Sequence, residues 1–201
     1  MANSCRYIKG LMPDMYRMFG ENKAERITKL AQVKYNRLCE ENAKETKEMQ
    51  AHTRQRIYPA VAAFWAMLEE NVEREVAAEI LNNYYEKQSK PTGRAIRAIL
   101  HIPALYRFVP CFFAKMTKKS FGENAGFRAR WIKEGKKEMR FDMLECPYQS
   151  LCVKYDCPEI VCGFCRSDDI CYGNMHPRLH WGRTKTLGLG GDCCDFRVTV
   201  R

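Results

Sequence analysis

The chain has 201 residues, of which 46% are hydrophobic, so it can bury an ordinary core in one domain without disulfide staples. It opens on no apolar leader with a cleavage site, and no stretch approaches the roughly 20 uncharged apolar residues of a membrane span. The expectation is a cytoplasmic protein whose 11 cysteines, an odd number, are free thiols or metal ligands, with a formal charge of +10 that excludes neither an acidic nor a phosphate-bearing partner.

The charge is uneven: residues 1–56 carry +5, 57–85 carry −4, 86–140 carry +10 and 141–201 carry −1. Residues 1–56 read as a basic helical N-terminal extension and 57–201 as the main domain. Within the extension, 24–55 is rich in Lys, Glu, Arg and Gln with sparse apolar positions such as Ile27, Leu30, Val33 and Leu38, which suits an exposed helix. Pro59 sits well in the first turn of the next helix. There Val61, Phe64, Trp65, Leu68, Val72, Val76, Ile80 and Leu81 recur at spacings of three and four, a core stripe. Ser89, Pro91 and Gly93 predict a break before further helix, and 99–116, interrupted by His101, Pro103, Arg107 and Pro110, a buried helical hairpin. Residues 127–137 are expected as an exposed helix after Gly122 and Gly126, and 139–146 as a strand ending at the edge of a site. Helices then follow Pro147 to about Tyr155 and Pro158 to about Tyr172, and strands at 179–187 and 192–200 are joined by a hairpin turn through Gly188, Gly190 and Gly191. The predicted fold is α+β: a helical N-terminal half followed by a small antiparallel sheet with packed helices.

Residues 146–197 hold eight of the 11 cysteines and a series of short motifs: CPY at Cys146, PE at Pro158 and Glu159, Cys165-x-x-Asp168, R-x-x-TL at Arg183, Thr186 and Leu187, and CDFR from Cys194. This ordered set resembles the L-2-amino-thiazoline-4-carboxylic acid hydrolase family. The resemblance is dense over 139–198 and extends more weakly back to about residue 57. It implies a hydrolase that opens a small sulfur- or nitrogen-containing heterocycle, by likeness L-2-amino-thiazoline-4-carboxylate to N-carbamoyl-L-cysteine.

On a helix, Cys165 neighbours Asp168 at i+3 and shares a face with Cys162 and Asp169. Ring opening needs a base to deliver water and an acid on the sulfur side. Asp168 is the expected base; Cys165 attacks as thiolate or, with Cys194 and Cys146, supplies the proton to sulfur. Arg183 is expected to grip the substrate carboxylate, with Thr186 and Glu159 as further substrate-binding residues. Adjacent strand residues face opposite ways, so of Cys194 and Asp195 only one faces the site, here taken as Cys194.

A cysteine-rich metal-binding protein, or a small-molecule binder without turnover, is the alternative. No cofactor is expected in the main reading; zinc or iron on Cys146, Cys162, Cys165 and Cys194 belongs to the alternative. Cys162-x2-Cys165 followed by His176-x3-His180 mimics a zinc finger. Its ten-residue spacer is short of the usual ~12, and Pro177 follows the first histidine. Nucleic acid is not the expected partner, since no RNP, KH or helix-turn-helix signature accompanies the basic middle. The glycines at 188–191 lie between strands and make no nucleotide-binding pattern.

Overall fold

The computed structural model describes residues 5–201. Its helical half runs through α1 (Arg6–Phe19), α2 (Glu21–Glu41), α3 (Lys47–His52), α4 (Tyr58–Glu69), α5 (Arg74–Leu100) and α6 (Val109–Ser120). Pro59 stands in the first turn of α4, whose Tyr58, Val61, Phe64 and Met67 are fully buried. Helix α2 lays Ala24, Ile27, Ala31 and Leu38 into the core. Its sparse apolar positions therefore make a packing stripe, not the exposed helix expected at 24–55. Thr46 caps α3 by accepting from the Met49 amide at 3.1 Å. Between α3 and α4 the chain makes a π-helical turn, Thr53–Ile57.

The expected break at 89–93 is absent: α5 runs unbroken through Ser89, Pro91 and Gly93. The Ser89 hydroxyl back-bonds to the Tyr85 carbonyl at 2.9 Å. A Cβ on Gly93 would stand 2.7 Å from the Ile170 carbonyl, so this glycine admits another helix and does not end its own. The expected buried hairpin at 99–116 is also corrected. Leu100, Tyr106, Val109 and Ala114 are buried, but Ile99, Ile102, Phe108 and Phe112 face outward.

Four strands, β1 (Arg128–Glu134), β2 (Glu138–Glu145), β3 (Leu179–Gly182) and β4 (Cys194–Val200), form one antiparallel sheet in the order β1-β2-β4-β3. Helix was expected at 127–137. Strand wins because Ala129 and Trp131 alternate with exposed Arg128 and Arg130, a period of two. The predicted tight hairpin between the last two strands is instead a long loop, 183–193, that reaches over a helix before β4 begins.

Each strand contributes one aromatic ring to a row across the sheet. Trp131 lies 4.9 Å from Phe141, Phe141 5.0 Å from Phe196, and Phe196 5.4 Å from Trp181, centroid to centroid. Phe113 of α6 meets Trp181 at 6.0 Å. The opposite face is polar, tied by Arg130 to Asp142 at 2.6 Å and Arg197 to Glu138 at 3.1 Å, as suits an antiparallel sheet with one wet side. Helices α7 (Pro147–Lys154) and α8 (Val161–Tyr172) form as the sequence predicts, and α8 packs along α5. The fold is α+β, with the helices concentrated in the N-terminal half.

Candidate active site

The site is organised around α8, and α8 is held by glycines. Asn82 of α5 donates to the Glu159 carbonyl at 3.1 Å and accepts from the Gly163 amide at 2.9 Å. A Cβ on Gly163 would lie 2.5 Å from Asn82 Oδ1, and Gly93 meets the last turn of the same helix. The two contacts fix the helix along its length and so fix Cys165 and Asp168.

Arg183, just past β3, folds back onto α8. It donates to the Cys165 carbonyl at 2.6 Å and to Asp169 at 2.7 Å, stands 3.4 Å from Asp168, and lies over the Phe196 ring at 5.4 Å. Only 7% of its side-chain surface is accessible. These contacts tie Arg183 to α8 and hold the two carboxylates in place, and its side chain also lines the groove beside Cys165.

Asp168 keeps 38% of its side-chain surface accessible yet is hemmed in by protein. Desolvation pushes its carboxyl up to about 6, with Asp169 adding to the rise and Arg183 and Arg56 opposing it.

Cys146, Cys165 and Cys194 come from the N-cap of α7, the middle of α8 and the start of β4, and they lie near enough to influence one another's ionisation. Burial pushes Cys146 up to about 12 and Cys165 up to about 11, and raises Cys194 as well. All three are thiols at neutral pH. The Cys194 sulfur accepts from the Leu187 amide at 3.2 Å. Asp195 faces the loop, where it accepts from the Thr184 and Lys185 amides at 2.8 Å each. Arg183 does not bridge to it.

An open groove of about 700 Å³ runs beside Cys165, Asp169, Arg183, Thr186, Gly190 and Gly191. Thr186 is 5% exposed, and its hydroxyl has no hydrogen-bond partner although it lies beside the Cys165 thiol. Gly188 closes the loop tightly on α8: a Cβ there would stand 3.0 Å from Cys165 Sγ and 2.6 Å from Val161 Cγ1.

Sequence reasoning missed Arg56, His52 and Tyr148. His52 is buried, with Nε2 2.8 Å from the Ser120 carbonyl and Nδ1 3.0 Å from the Tyr148 hydroxyl. Desolvation lowers its pKa, so the neutral ring donates at Nε2 and accepts from Tyr148 at Nδ1. Arg56, on the π-helical turn, donates to the same hydroxyl at 3.4 Å and is an exposed residue whose charge Tyr148, Tyr85 and Tyr172 lie near enough to influence. Arg56, the cation directly before the apolar run 57–68, was the signal available.

One expected member, Glu159, is engaged by Arg74 at 2.9 Å and does not line the groove. Cys162 donates to the Glu159 carbonyl at 3.4 Å and lines the groove beside Cys165. Among the described residues no group of three or more His, Cys, Asp or Glu side chains is placed to hold a metal ion, so nothing there supports the cage of Cys146, Cys162, Cys165 and Cys194.

A carboxylate raised toward neutrality, neutral thiols and two arginines gather where the helices meet the small sheet. The chain belongs to the L-2-amino-thiazoline-4-carboxylic acid hydrolase family, whose model matches residues 50–198. No curated protein matches it.

Proposed function

We propose that the protein is a hydrolase that opens a small sulfur heterocycle of the cyclic amidine type, L-2-amino-thiazoline-4-carboxylate being the substrate that the family suggests. The observation that carries this reading is Asp168, an accessible carboxylate raised to about 6 beside neutral thiols. Near neutral pH such a group is ionised and still basic enough to take a proton from water. As that proton leaves, the water oxygen bonds to the ring carbon between sulfur and nitrogen. The carbon–sulfur bond then breaks, the ring nitrogen receives the second water proton, and the departing sulfur takes one from Cys165 or Cys194. The thiol pKa values favour this proton-donor role over nucleophilic attack, which needs thiolate. The proton held by Asp168 returns to the cysteine, so the product is N-carbamoyl-L-cysteine and the enzyme is restored.

In this reading Arg56 receives the substrate carboxylate, because the residue is exposed and its one hydrogen bond among the described residues goes to the Tyr148 hydroxyl. The unpaired Thr186 hydroxyl offers a further contact to a ring heteroatom. Arg56→Gln is expected to raise KM by about 10- to 100-fold with a smaller change in kcat, as loss of a charge-assisted pair worth roughly 1.5–3 kcal/mol implies. An unchanged KM would remove Arg56 from the substrate site.

A further inference from the structure

Between Glu86 and Glu123 the sequence has no acidic residue and eight Lys and Arg. The same segment carries the densest exposed apolar surface of the described residues. Ile99 and Ile102 are 55% and 57% exposed at the end of α5, and Phe108 and Phe112 are 66% and 60% exposed at the start of α6. Phe108, Phe112 and Met116 follow one another at four-residue spacing, so they form one stripe, with Lys115 and Lys119 on the same side of α6. Several of the cations, Lys90, Arg94, Lys115 and Lys119 among them, are exposed and join no ion pair within the described residues.

We propose that this corner docks on an anionic lipid bilayer, with Ile99, Ile102, Phe108 and Phe112 entering the interface and the lysines and arginines meeting lipid phosphates. The two arms, Arg74–Leu100 and Leu105–Ser120, are bent by 112° at the break between them, and among the described residues no single helix is long and apolar enough to cross a membrane. A bent apolar corner rimmed with cations suits shallow insertion beside anionic headgroups. Charge complementarity selects the partner. A second copy of the chain would set like charges against each other, and nucleic acid would leave the bare phenylalanines and isoleucines without an apolar partner.

Co-sedimentation of the full chain with vesicles of phosphatidylcholine, with and without phosphatidylglycerol, tests the proposal. Binding is expected only with phosphatidylglycerol, weakening as salt rises. Phe108→Ser/Phe112→Ser and Lys115→Gln/Lys119→Gln are each expected to weaken it about tenfold or more, with thermal unfolding unchanged because all four side chains are exposed. The proposal is overturned by absence of sedimentation, by equal binding to neutral vesicles, or by full binding in both double variants. Self-association or nucleic-acid binding without vesicle binding would overturn it too.

Discussion

Asp168 carries two opposed demands. Its desolvation costs folding free energy and the same desolvation makes it a base. A carboxyl raised when folded binds its proton more tightly than in the unfolded chain. Stability is therefore lost as pH climbs from the ordinary carboxyl range through about 6, and regained on acidification. Asp168→Asn is expected to cut kcat/KM by ~10²–10⁴ while raising the melting temperature above pH 6, with the gain shrinking below about pH 4. Melting curves at the two pH values check it; a variant destabilised at pH 7 would mean that its ion pair with Arg183 outweighs burial. At this scale the grouping of the motif residues was legible: Cys165, Asp168, Arg183, Cys194 and Cys146 do gather. What the sequence concealed was the place of Arg56, because no residue type encodes a π-helical turn, and the protein partners of Arg183, because Asp169 and the Cys165 carbonyl come within reach only as the 183–193 loop returns.

Among the elements, the crossing of α5 and α8 decides whether the site exists in working form. Gly163 and Gly93 bring the helices to a separation that side chains would forbid. Gly163→Ala places a methyl against Asn82 and is expected to cost about 1–3 kcal/mol, and to lower activity by shifting Cys165 and Asp168. Denaturant unfolding together with turnover measures both, and unchanged values would show that α8 yields without consequence. Gly93 also explains one failure of reading: a glycine inside a helix looks like a break until its neighbour is known. Residues 127–137 failed for another reason. Their exposed Arg128, Arg130 and Lys133 suggested a solvated helix, whereas the alternation of Ala129 and Trp131, fulfilled by Phe141 across the ladder, makes a strand. The helices opened by Pro147 and Pro158 were legible because proline at the first turn is a local signal.

Across the whole molecule, the N-terminal helices and the cysteine-rich half are tied together. Trp65 donates to the Tyr155 carbonyl at 3.0 Å, Asn42 to the Tyr155 hydroxyl at 3.1 Å, and Arg74 to Glu159 and Asp156. Removing residues 1–56 would strip α2 from α4 and take His52 and Arg56 from the site. The truncated chain is expected to unfold at lower temperature and to lose turnover; a shortened chain as stable and active as the full one would make those helices an appendage. The α+β class followed from local periodicity, but the order β1-β2-β4-β3 depends on pairings far apart in sequence.

Heterocycle opening with Asp168 as base is tested by thiol release from L-2-amino-thiazoline-4-carboxylate, followed with a thiol reagent on either side of pH 6. The expected result is release by the native protein with kcat/KM rising through about pH 6, and none above background from Asp168→Asn. Undiminished release by a folded Asp168→Asn, or no release by the native protein at any pH, would contradict it.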